Sequence, residues 1–168
     1  MDSGGWSRYF GYDTLGNLVW RDDNMGRQTC YSYDALNRVT QKIYFTGNYA
    51  AQGGNCAAVP GSAYLANSPT VSYSYDNANI SYGAGRLAKV TNGISTTTIL
   101  SYDVLGRALA SQQSTAGKTY NLFYGYDLSG ALTSETYPSG RQISTQYLTG
   151  RDGWLRSTAR WAGSRARI

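Results

Sequence analysis

The sequence predicts an all-β protein of tandem antiparallel β-hairpins, which form an open, curved sheet. Tyrosine is unusually frequent, with 16 in 168 residues, and 20 glycines accompany it. Tyrosine, threonine, valine and isoleucine favour strands, and glycine favours turns. No stretch of 11 or more residues has the apolar spacing of a helix. A Tyr-Asp pair recurs five times along the chain, which indicates an internal repeat.

Each Tyr-Asp pair ends a predicted incoming strand. Two residues before each tyrosine stands an apolar or aromatic residue, and side chains at this spacing lie on one face of a strand. The pairs are Tyr12-Asp13, Tyr33-Asp34, Tyr75-Asp76, Tyr102-Asp103 and Tyr126-Asp127, preceded by Phe10, Tyr31, Tyr73, Leu100 and Tyr124. Cross-strand packing is the favoured role for these aromatic residues and for Trp6 and Trp20, and stacking on sugars is the alternative.

The aspartate is predicted to begin a tight turn. Its side chain can accept a hydrogen bond from the backbone N–H two residues later. A residue with positive φ then closes a type I turn with a G1 bulge. The closing residues are Gly16, Asn37, Gly106 and Gly130, and in the third copy Gly85, which is delayed by an insertion at residues 77–84. The outgoing strands begin at Leu18, Val39, Leu87 and Leu132, and looser return turns follow at Asn92-Gly93, Ala116-Gly117 and Ser139-Gly140.

A longer insertion is predicted between the second and third copies. It is a Gly/Ala/Asn-rich loop at about residues 45–70 within the array at 1–147. Loops of this kind are either excursions from the fold or binding loops, and an excursion is favoured here. Cys30 and Cys56, the only cysteines, either form one disulfide or stay unpaired.

The composition argues against catalysis. Histidine is absent, which excludes histidine-dependent general bases and imidazole metal sites. A glycosidase needs two carboxyl groups that face one bond, whereas each repeated aspartate has a local role in its own turn. We therefore predict no enzyme activity and no catalytic, cofactor or metal site. The arginines that follow the turn residues, Arg38, Arg86 and Arg107, are expected to pair with a neighbouring aspartate or to face solvent.

The charge distribution does not indicate a nucleic-acid partner. Residues 1–140 carry nine basic and nine acidic groups, and residues 141–168 carry six arginines against Asp152. No apolar run approaches 18 residues, so no membrane span is expected, and the N-terminal residues do not have the pattern of a signal peptide.

The pattern Tyr-x-Tyr-Asp-x-x-Gly-Arg-Leu resembles the YD repeat of Rhs proteins, toxin-complex shells and teneurins, over about residues 9–147. The resemblance implies a hairpin sheet that spirals into a hollow shell, which in bacterial members encloses or presents a toxin. It implies a non-catalytic segment of a larger secreted or cell-surface parent. The implied partners are the remaining repeats and an encapsulated toxin domain or a surface glycan. The alternative is a cell-surface carbohydrate-binding or adhesion module.

Two features of these shells are not found in the sequence. These are the shell-closing Pro-x-x-x-x-Asp-Pro-x-Gly motif and a variable toxin domain after it. The self-cleaving activity attached to that motif is therefore assigned to no residue here. A short array would also leave open sheet edges and an uncovered tyrosine-rich face. We therefore expect the isolated chain to be marginally stable, partly ordered or self-associating.

Residues 148–168 form an arginine-rich tail in which the repeat register is lost. One interpretation is a decayed sixth copy, with Tyr147 as the leading aromatic residue and Gly153 as the turn glycine. The other is a frameshifted end. Back-translation from Leu148 with freely chosen codons, followed by removal of two bases, yields Asp-Gly-Pro-Gly-Arg-Leu directly after Tyr147. The coding DNA distinguishes the two.

Overall fold

A computed structural model describes residues 9–23, 26–47, 56–65, 68–149 and 155–161. Apart from two short 3-10 helices, Cys56–Ala58 and Gly61–Ala63, the regular elements of these ranges are β-strands. In chain order the strands are β1 (Tyr9–Tyr12), β2 (Leu18–Asp22), β3 (Arg27–Tyr33), β4 (Val39–Thr46), β5 (Val71–Tyr75), β6 (Leu87–Thr91), β7 (Ser95–Tyr102), β8 (Ala108–Thr115), β9 (Lys118–Tyr126), β10 (Leu132–Thr136), β11 (Gln142–Thr149) and β12 (Leu155–Trp161). The predicted all-β class is confirmed.

The chain divides into two compact units. The first comprises Met1–Ser74 and Val90–Ile94, and the second comprises Tyr75–Lys89 and Ser95–Ile168. The strand order is β1-β2-β3-β4-β5 in the first unit and β7-β8-β9-β10-β11-β12 in the second, while β6 contributes to both. Each unit is therefore an open series of antiparallel hairpins, as the sequence predicted.

The pairing register has a common irregularity beside the Tyr-Asp turn. In four hairpins the tyrosine pairs with the residue six positions later, and the register shifts next to that pair. The pairs are Tyr12 with Leu18, Tyr33 with Val39, Tyr102 with Ala108 and Tyr126 with Leu132. A bulge after a type I turn places one extra residue in one of the two strands, which accounts for these register shifts.

The core of the first unit lies between the sheet and the longer insertion. Cys30, Ile43 and Phe45 from the strands are buried with Cys56 and Val59 from the insertion. Cys30 and Cys56 form a disulfide across 26 residues, which resolves the question that the sequence left open.

The described part of the insertion packs on the sheet and does not extend away from it. The N–H of Leu65 donates to the carbonyl of Tyr44 at 2.9 Å, and Tyr64 forms an isolated bridge with Phe45. Strand β4 continues to Thr46, so the insertion begins after the predicted boundary at residue 45. Residues 48–55 and 66–67 of the predicted loop lie outside the described residues.

The core of the second unit uses the shorter insertion in the same way. Ile80 from the insertion is buried with Ala88 and Tyr102. The insertion bends through consecutive tight turns, in which the N–H of Ile80 donates to Asn77 and the N–H of Gly83 donates to Ile80. A Cβ at Gly83 would approach both of these acceptor carbonyls to 2.9 Å, so glycine is required for the bend that carries Ile80 into the core.

Candidate functional site: the Tyr-Asp turns and the contacts between hairpins

The repeated aspartates hold their turns by hydrogen bonds within five residues of chain. In three copies Oδ1 accepts from the backbone N–H groups two and four residues later, at 2.8–3.0 Å. Asp13 accepts from Leu15 and Asn17, Asp34 accepts from Leu36 and Arg38, and Asp103 accepts from Leu105 and Arg107. In the fifth copy Asp127 accepts from the N–H of Ala131 at 2.9 Å and the hydroxyl of Ser129 at 2.6 Å. The carboxylate thus takes up backbone donors that the turn leaves without a strand partner.

The residues named as turn closers all have positive φ. The values are 84° for Gly16, 59° for Asn37, 75° for Gly85, 84° for Gly106 and 91° for Gly130. The third copy differs, because Asp76 itself has a φ of 57° and its carboxylate accepts from the N–H of Gly85, nine residues later, at 2.5 Å. Its turn therefore closes across the insertion.

Arginine and asparagine side chains donate hydrogen bonds to the turn carboxylates. Arg38 pairs with Asp34 at 2.8 Å and Arg107 pairs with Asp103 at 2.6 Å, as expected from the sequence. In both pairs, the hydrogen bond from the backbone N–H of the arginine is the largest cause of the lowered pKa of the aspartate. The side-chain hydrogen bond from Asn17 lowers the pKa of Asp13, and the hydroxyl of Ser129 lowers that of Asp127. Arg86 differs, since its guanidinium donates to the carbonyl of Tyr82 at 2.5 Å.

Two tyrosines of the Tyr-Asp pairs, Tyr33 and Tyr102, and also Tyr147 make a hydrogen bond back to the preceding hairpin. Each hydroxyl donates to the backbone carbonyl of the residue fifteen positions earlier, where the preceding outgoing strand begins. The pairs are Tyr33 with Leu18 at 2.8 Å, Tyr102 with Leu87 at 2.7 Å and Tyr147 with Leu132 at 3.1 Å. Burial raises the pKa of the Tyr33 and Tyr102 hydroxyls, which therefore stay protonated as donors.

The residue that follows the turn closer reaches forward to the next turn. Arg107 donates to the carbonyl of Asp127 at 2.8 Å, and its guanidinium lies 4.8 Å from the ring centroid of Tyr126. Arg86 lies 5.7 Å from the ring centroid of Tyr102, and its guanidinium occupies the space that a Cβ at Gly106 would need.

The first unit makes a forward contact of the same kind with amides. There Asn17 donates from Nδ2 to Oδ1 of Asn37 at 3.0 Å. The first and second hairpins are thus held by a contact in each direction, backward from Tyr33 to Leu18 and forward from Asn17 to Asn37.

Two return turns have the same backbone pattern as the Tyr-Asp turns; the sequence interpretation missed the first of them and placed the second at Ser139-Gly140. Asp23 accepts from the N–H of Arg27 at 3.2 Å, and Gly26 between them has a φ of 72°. The spacing Asp-x-x-Gly-Arg at 23–27 could have revealed this turn, but no tyrosine precedes the aspartate. Tyr137 begins a turn of the same backbone pattern without a carboxylate, since its N–H donates to the carbonyl of Arg141 at 2.8 Å.

Tyr147 keeps the backward hydrogen bond of a repeat tyrosine, but no repeat turn follows it. Strand β11 continues to Thr149, and Tyr147 pairs with Ser157, ten positions later instead of six. The pairing register of the sixth hairpin therefore runs unchanged through Tyr147, without the shift that accompanies the Tyr-Asp turns.

A cleft of about 320 Å³ lies in the first unit, away from the Tyr-Asp turns. Within it, Gln28 donates to Asp22 at 2.9 Å and Arg21 donates to Thr29 at 3.4 Å. The lining residues are Phe10, Arg21, Asp22, Asp23, Arg27, Gln28, Thr29, Tyr44, Leu65 and Ser68.

Trp20 packs against the hydrophobic core, and Trp6 lies outside the described residues. The described residues contain no group of histidine, cysteine, aspartate or glutamate that could hold a metal ion, and no helix among them is long and apolar enough to cross a membrane.

These features define a repeat protein in which β-hairpins follow one another and are coupled through their tyrosines and turn residues. The RHS Repeat family model matches residues 12–49, which contain the first two Tyr-Asp turns. Over residues 12–49 this match confirms the resemblance to the YD repeat that the sequence indicated. No curated protein matches the chain significantly.

Solved structures share the fold. The crystal structure of TcdB2-TccC3-Cdc42 is similar with a TM-score of 0.62 and 13% identity, and covers 93% of this chain. TcdB2-TccC3 without its hypervariable C-terminal region is similar with a TM-score of 0.63, again at 13% identity and 93% coverage. The chain spans 8% of the length of each of those chains.

Proposed function

We propose that the chain is a non-catalytic structural segment of an RHS-repeat shell that encapsulates or presents a toxin in competition between bacteria. The observation that carries this proposal is the two-way contact between consecutive hairpins. Tyr102 donates back to Leu87 and Arg107 donates forward to Asp127, so that the β7–β8 hairpin is held by both of its neighbours in the chain. An element that depends on its neighbours in this way suits an extended wall.

The first described hairpin supports the view that the array continues before it. Tyr12 is 63% exposed, whereas Tyr102, which has a preceding hairpin, is 9% exposed. A further hairpin paired with β1 would present a carbonyl to Tyr12 in the way that Leu18 does to Tyr33. The fold likeness to TcdB2-TccC3, of which this chain spans 8%, also supports a segment of a larger assembly.

The repeated aspartates support a structural role. The Oδ1 oxygens of Asp13, Asp34, Asp103 and Asp127 accept hydrogen bonds within their own turns. A carboxylate that is engaged in this way does not serve as a general base or nucleophile without breaking its turn. The Tyr-Asp residues named from the sequence are therefore proposed to build the wall.

The proposed setting is outside the producing cell or on its surface. The Cys30–Cys56 disulfide suits an oxidising compartment, where such bonds persist. The proposed partners are the remaining repeats of the shell and the toxin domain that it encloses. No nucleic acid, membrane span or cofactor forms part of the proposal.

The regular array is proposed to end at Tyr147, with residues 148–168 as a degenerate copy or a frameshifted end. The bond from Tyr147 to Leu132 supports the assignment of Tyr147 to the repeat-tyrosine position, which makes 148 the aspartate position. This supports the frameshifted reading over the decayed sixth copy, in which Gly153 as the turn glycine would place the aspartate position at Gly150. Sequencing the gene tests the frameshifted reading. If the shifted reading frame after Tyr147 does not encode Asp-x-x-Gly-Arg-Leu, a frameshift is excluded. Residues 150–154 and 162–168 lie outside the described residues.

The product of the complete gene tests the shell. We expect electron microscopy to show a closed wall, with residues 9–147 as consecutive hairpins within it. We also expect the enclosed polypeptide to resist protease until the wall is unfolded. An extended, open array with every segment cleaved at the same rate would contradict the proposal.

The cleft in the first unit favours a second candidate, a carbohydrate-binding or adhesion module. Phe10 and Tyr44 offer aromatic surfaces, Asp22 and Gln28 offer polar groups, and a volume of about 320 Å³ is at the small end for ligand sites. A glycan array with clear signals that are lost in Tyr44→Ala would establish it. An array without signals would leave only the structural role.

A further inference from the structure

The segment that joins β6 to β7 contains the only Asn-Gly pair of the sequence. Strand β6 ends at Thr91 and β7 begins at Ser95, so Asn92 and Gly93 form the turn. Gly93 is exposed and has a φ of 80°. No described atom outside its chain neighbours lies within 4 Å of the place that a Cβ on Gly93 would take. Water therefore has access to the peptide bond between the two residues.

The side chain of Asn92 is folded back along the chain. Its Oδ1 accepts a hydrogen bond from the backbone N–H of Ile94 at 3.1 Å, which is the contact of an Asx-turn. This turn brings the side-chain amide carbon, Cγ, towards the backbone nitrogen of the next residue, Gly93. The N–H of Ile94 also stabilises negative charge that develops on Oδ1. The amide carbon is therefore activated for attack by a nucleophile.

The backbone nitrogen of Gly93 is that nucleophile. Its N–H donates to Oγ1 of Thr91 at 3.3 Å, so the proton that must leave already has an acceptor. A Cβ on the residue after an asparagine obstructs the approach of this nitrogen to Cγ, and glycine has no Cβ. Every other asparagine of the chain is followed by a residue that carries a Cβ.

We propose that Asn92 is a modification site at which the chain deamidates itself. The Gly93 nitrogen forms a bond to Cγ, the bond from Cγ to Nδ2 breaks, and Nδ2 leaves as ammonia with the proton from Gly93. Water then opens the resulting succinimide at one of its two carbonyl carbons. Opening at Cγ gives aspartate, and opening at the main-chain carbon gives isoaspartate, in which the backbone runs through the side chain. Water is the only reactant added, and ammonia is the only product released.

A second asparagine with the same contact provides a comparison within the chain. Oδ1 of Asn77 accepts from the N–H of Asn79 at 2.9 Å, again two residues later, but Ala78 stands between them. Of these two sites, both have the activating hydrogen bond, and only Asn92 has the unobstructed nitrogen. We therefore expect Asn92 to convert and Asn77 to persist.

Conversion changes both the charge and the backbone of this segment. A carboxylate replaces a neutral amide, so each converted molecule gains one negative charge against its formal net charge of +5. Isoaspartate also adds a methylene group to the main chain between β6 and β7. Val90–Ile94 belong to the first unit and Ser95 to the second, so the change falls where the chain passes between units. The inference concerns the chain itself and does not depend on a shell.

Peptide mapping of the intact chain tests the inference. The folded protein is incubated in mildly alkaline buffer, and samples taken at increasing times are digested with trypsin and analysed by mass spectrometry. Cleavage after Lys89 and Arg107 releases residues 90–107, in which Asn92 carries the only side-chain amide. We expect this peptide to convert to an aspartate and an isoaspartate form. Residues 119–141, in which Asn121 precedes a leucine, should convert at least about tenfold more slowly, because the Cβ raises the barrier.

Two matched variants separate this site from a general loss of amides. Gly93→Asn adds a Cβ, and asparagine tolerates the positive φ, so the turn is kept while conversion at residue 92 slows at least about tenfold. Ala78→Gly removes the Cβ after Asn77, so Asn77 should convert within about threefold of the rate at Asn92.

The contribution of the fold is measured by a comparison with the chain unfolded in urea. Conversion at Asn92 should be no slower in the folded chain, because the N–H of Ile94 holds the amide in place. The inference is overturned if residues 90–107 do not convert or if Gly93→Asn converts at the unchanged rate. A stable Asn77 in Ala78→Gly, or slower conversion in the folded chain than in urea, would overturn it as well.

Discussion

The hydroxyl of Tyr102 donates a 2.7 Å hydrogen bond to the backbone carbonyl of Leu87 in the preceding hairpin. Tyr102 is buried, so the bond is shielded from water. Its sequence neighbour Asp103 accepts bonds only from residues of its own turn in the contacts described above. The two residues of the repeat motif therefore have separate tasks, since the aspartate builds a hairpin and the tyrosine couples it to the one before.

Removal of the tyrosine hydroxyl should destabilise a coupled hairpin. We expect Tyr102→Phe to lower the free energy of unfolding by about 1 kcal/mol, because the carbonyl of Leu87 loses a buried donor. Urea unfolding measures the change. Tyr12→Phe is the matched control, since Tyr12 is exposed at β1, and it should have almost no effect. Equal losses in the two variants would contradict the coupling role.

Two glycines with the same φ should differ in their tolerance of alanine. Gly16 and Gly106 both have a φ of 84°, so alanine costs about 1–2 kcal/mol of backbone strain at either position. At Gly106 the new Cβ also displaces the guanidinium of Arg86 from Tyr102, which adds about 0.5–1 kcal/mol. Thermal unfolding of both variants measures the difference. In an Arg86→Ala background the two substitutions should cost the same, and a persistent difference would speak against this contact.

Acid should weaken the turns together. The folded-state pKa of Asp13, Asp34, Asp103 and Asp127 is lower than the ordinary value of 3.8. A carboxylate with a lowered pKa contributes stability above its unfolded pKa and loses it as the pH falls through the folded pKa. We therefore expect a constant melting temperature from about pH 7 to about pH 5 and a decrease below about pH 4.

Circular dichroism melts from pH 7 to pH 2.5 check the acid dependence. Asp103→Asn keeps an acceptor in the turn but cannot ionise, so its melting temperature should be lower near pH 7 and fall less in acid. A melting temperature that is unchanged or rises below pH 4 would refute the role of the charged turn carboxylates.

Reduction of the disulfide should loosen the first unit. A cross-link that closes a loop of 26 residues contributes about 3 kcal/mol, mainly by restricting the unfolded chain. Hydrogen exchange with mass spectrometry should show faster exchange in β3 and β4 after reduction and no change in β7 to β9. The Cys30→Ala, Cys56→Ala variant is the control and should not respond to reductant. Faster exchange across both units would indicate that the disulfide stabilises more than its own core.

Much of each turn could be predicted because its interactions are local. Asp34, Leu36 and Arg38 lie within five residues of one another, so their spacing already implies the hydrogen bonds that form. The same local spacing at Asp23 implies the first return turn, which the Tyr-Asp pattern does not include because no tyrosine precedes this aspartate.

The contacts between hairpins could not be predicted in the same way. The sequence places Leu87 fifteen residues before Tyr102 but does not show that the intervening chain makes one return turn that brings them together. Arg107 was expected to pair with Asp103, and it does, but its second bond to Asp127 depends on the position of the following hairpin.

By itself the sequence determined the all-β class and the hairpin turns, because the bonds that form a turn join residues only a few positions apart. The tertiary structure alone decided that Cys30 bonds Cys56, that Ile80 enters a core and that the repeat tyrosines couple neighbouring hairpins. These contacts depend on which strands pair and what they bury, and pairing over long stretches of chain leaves no fixed spacing in the sequence.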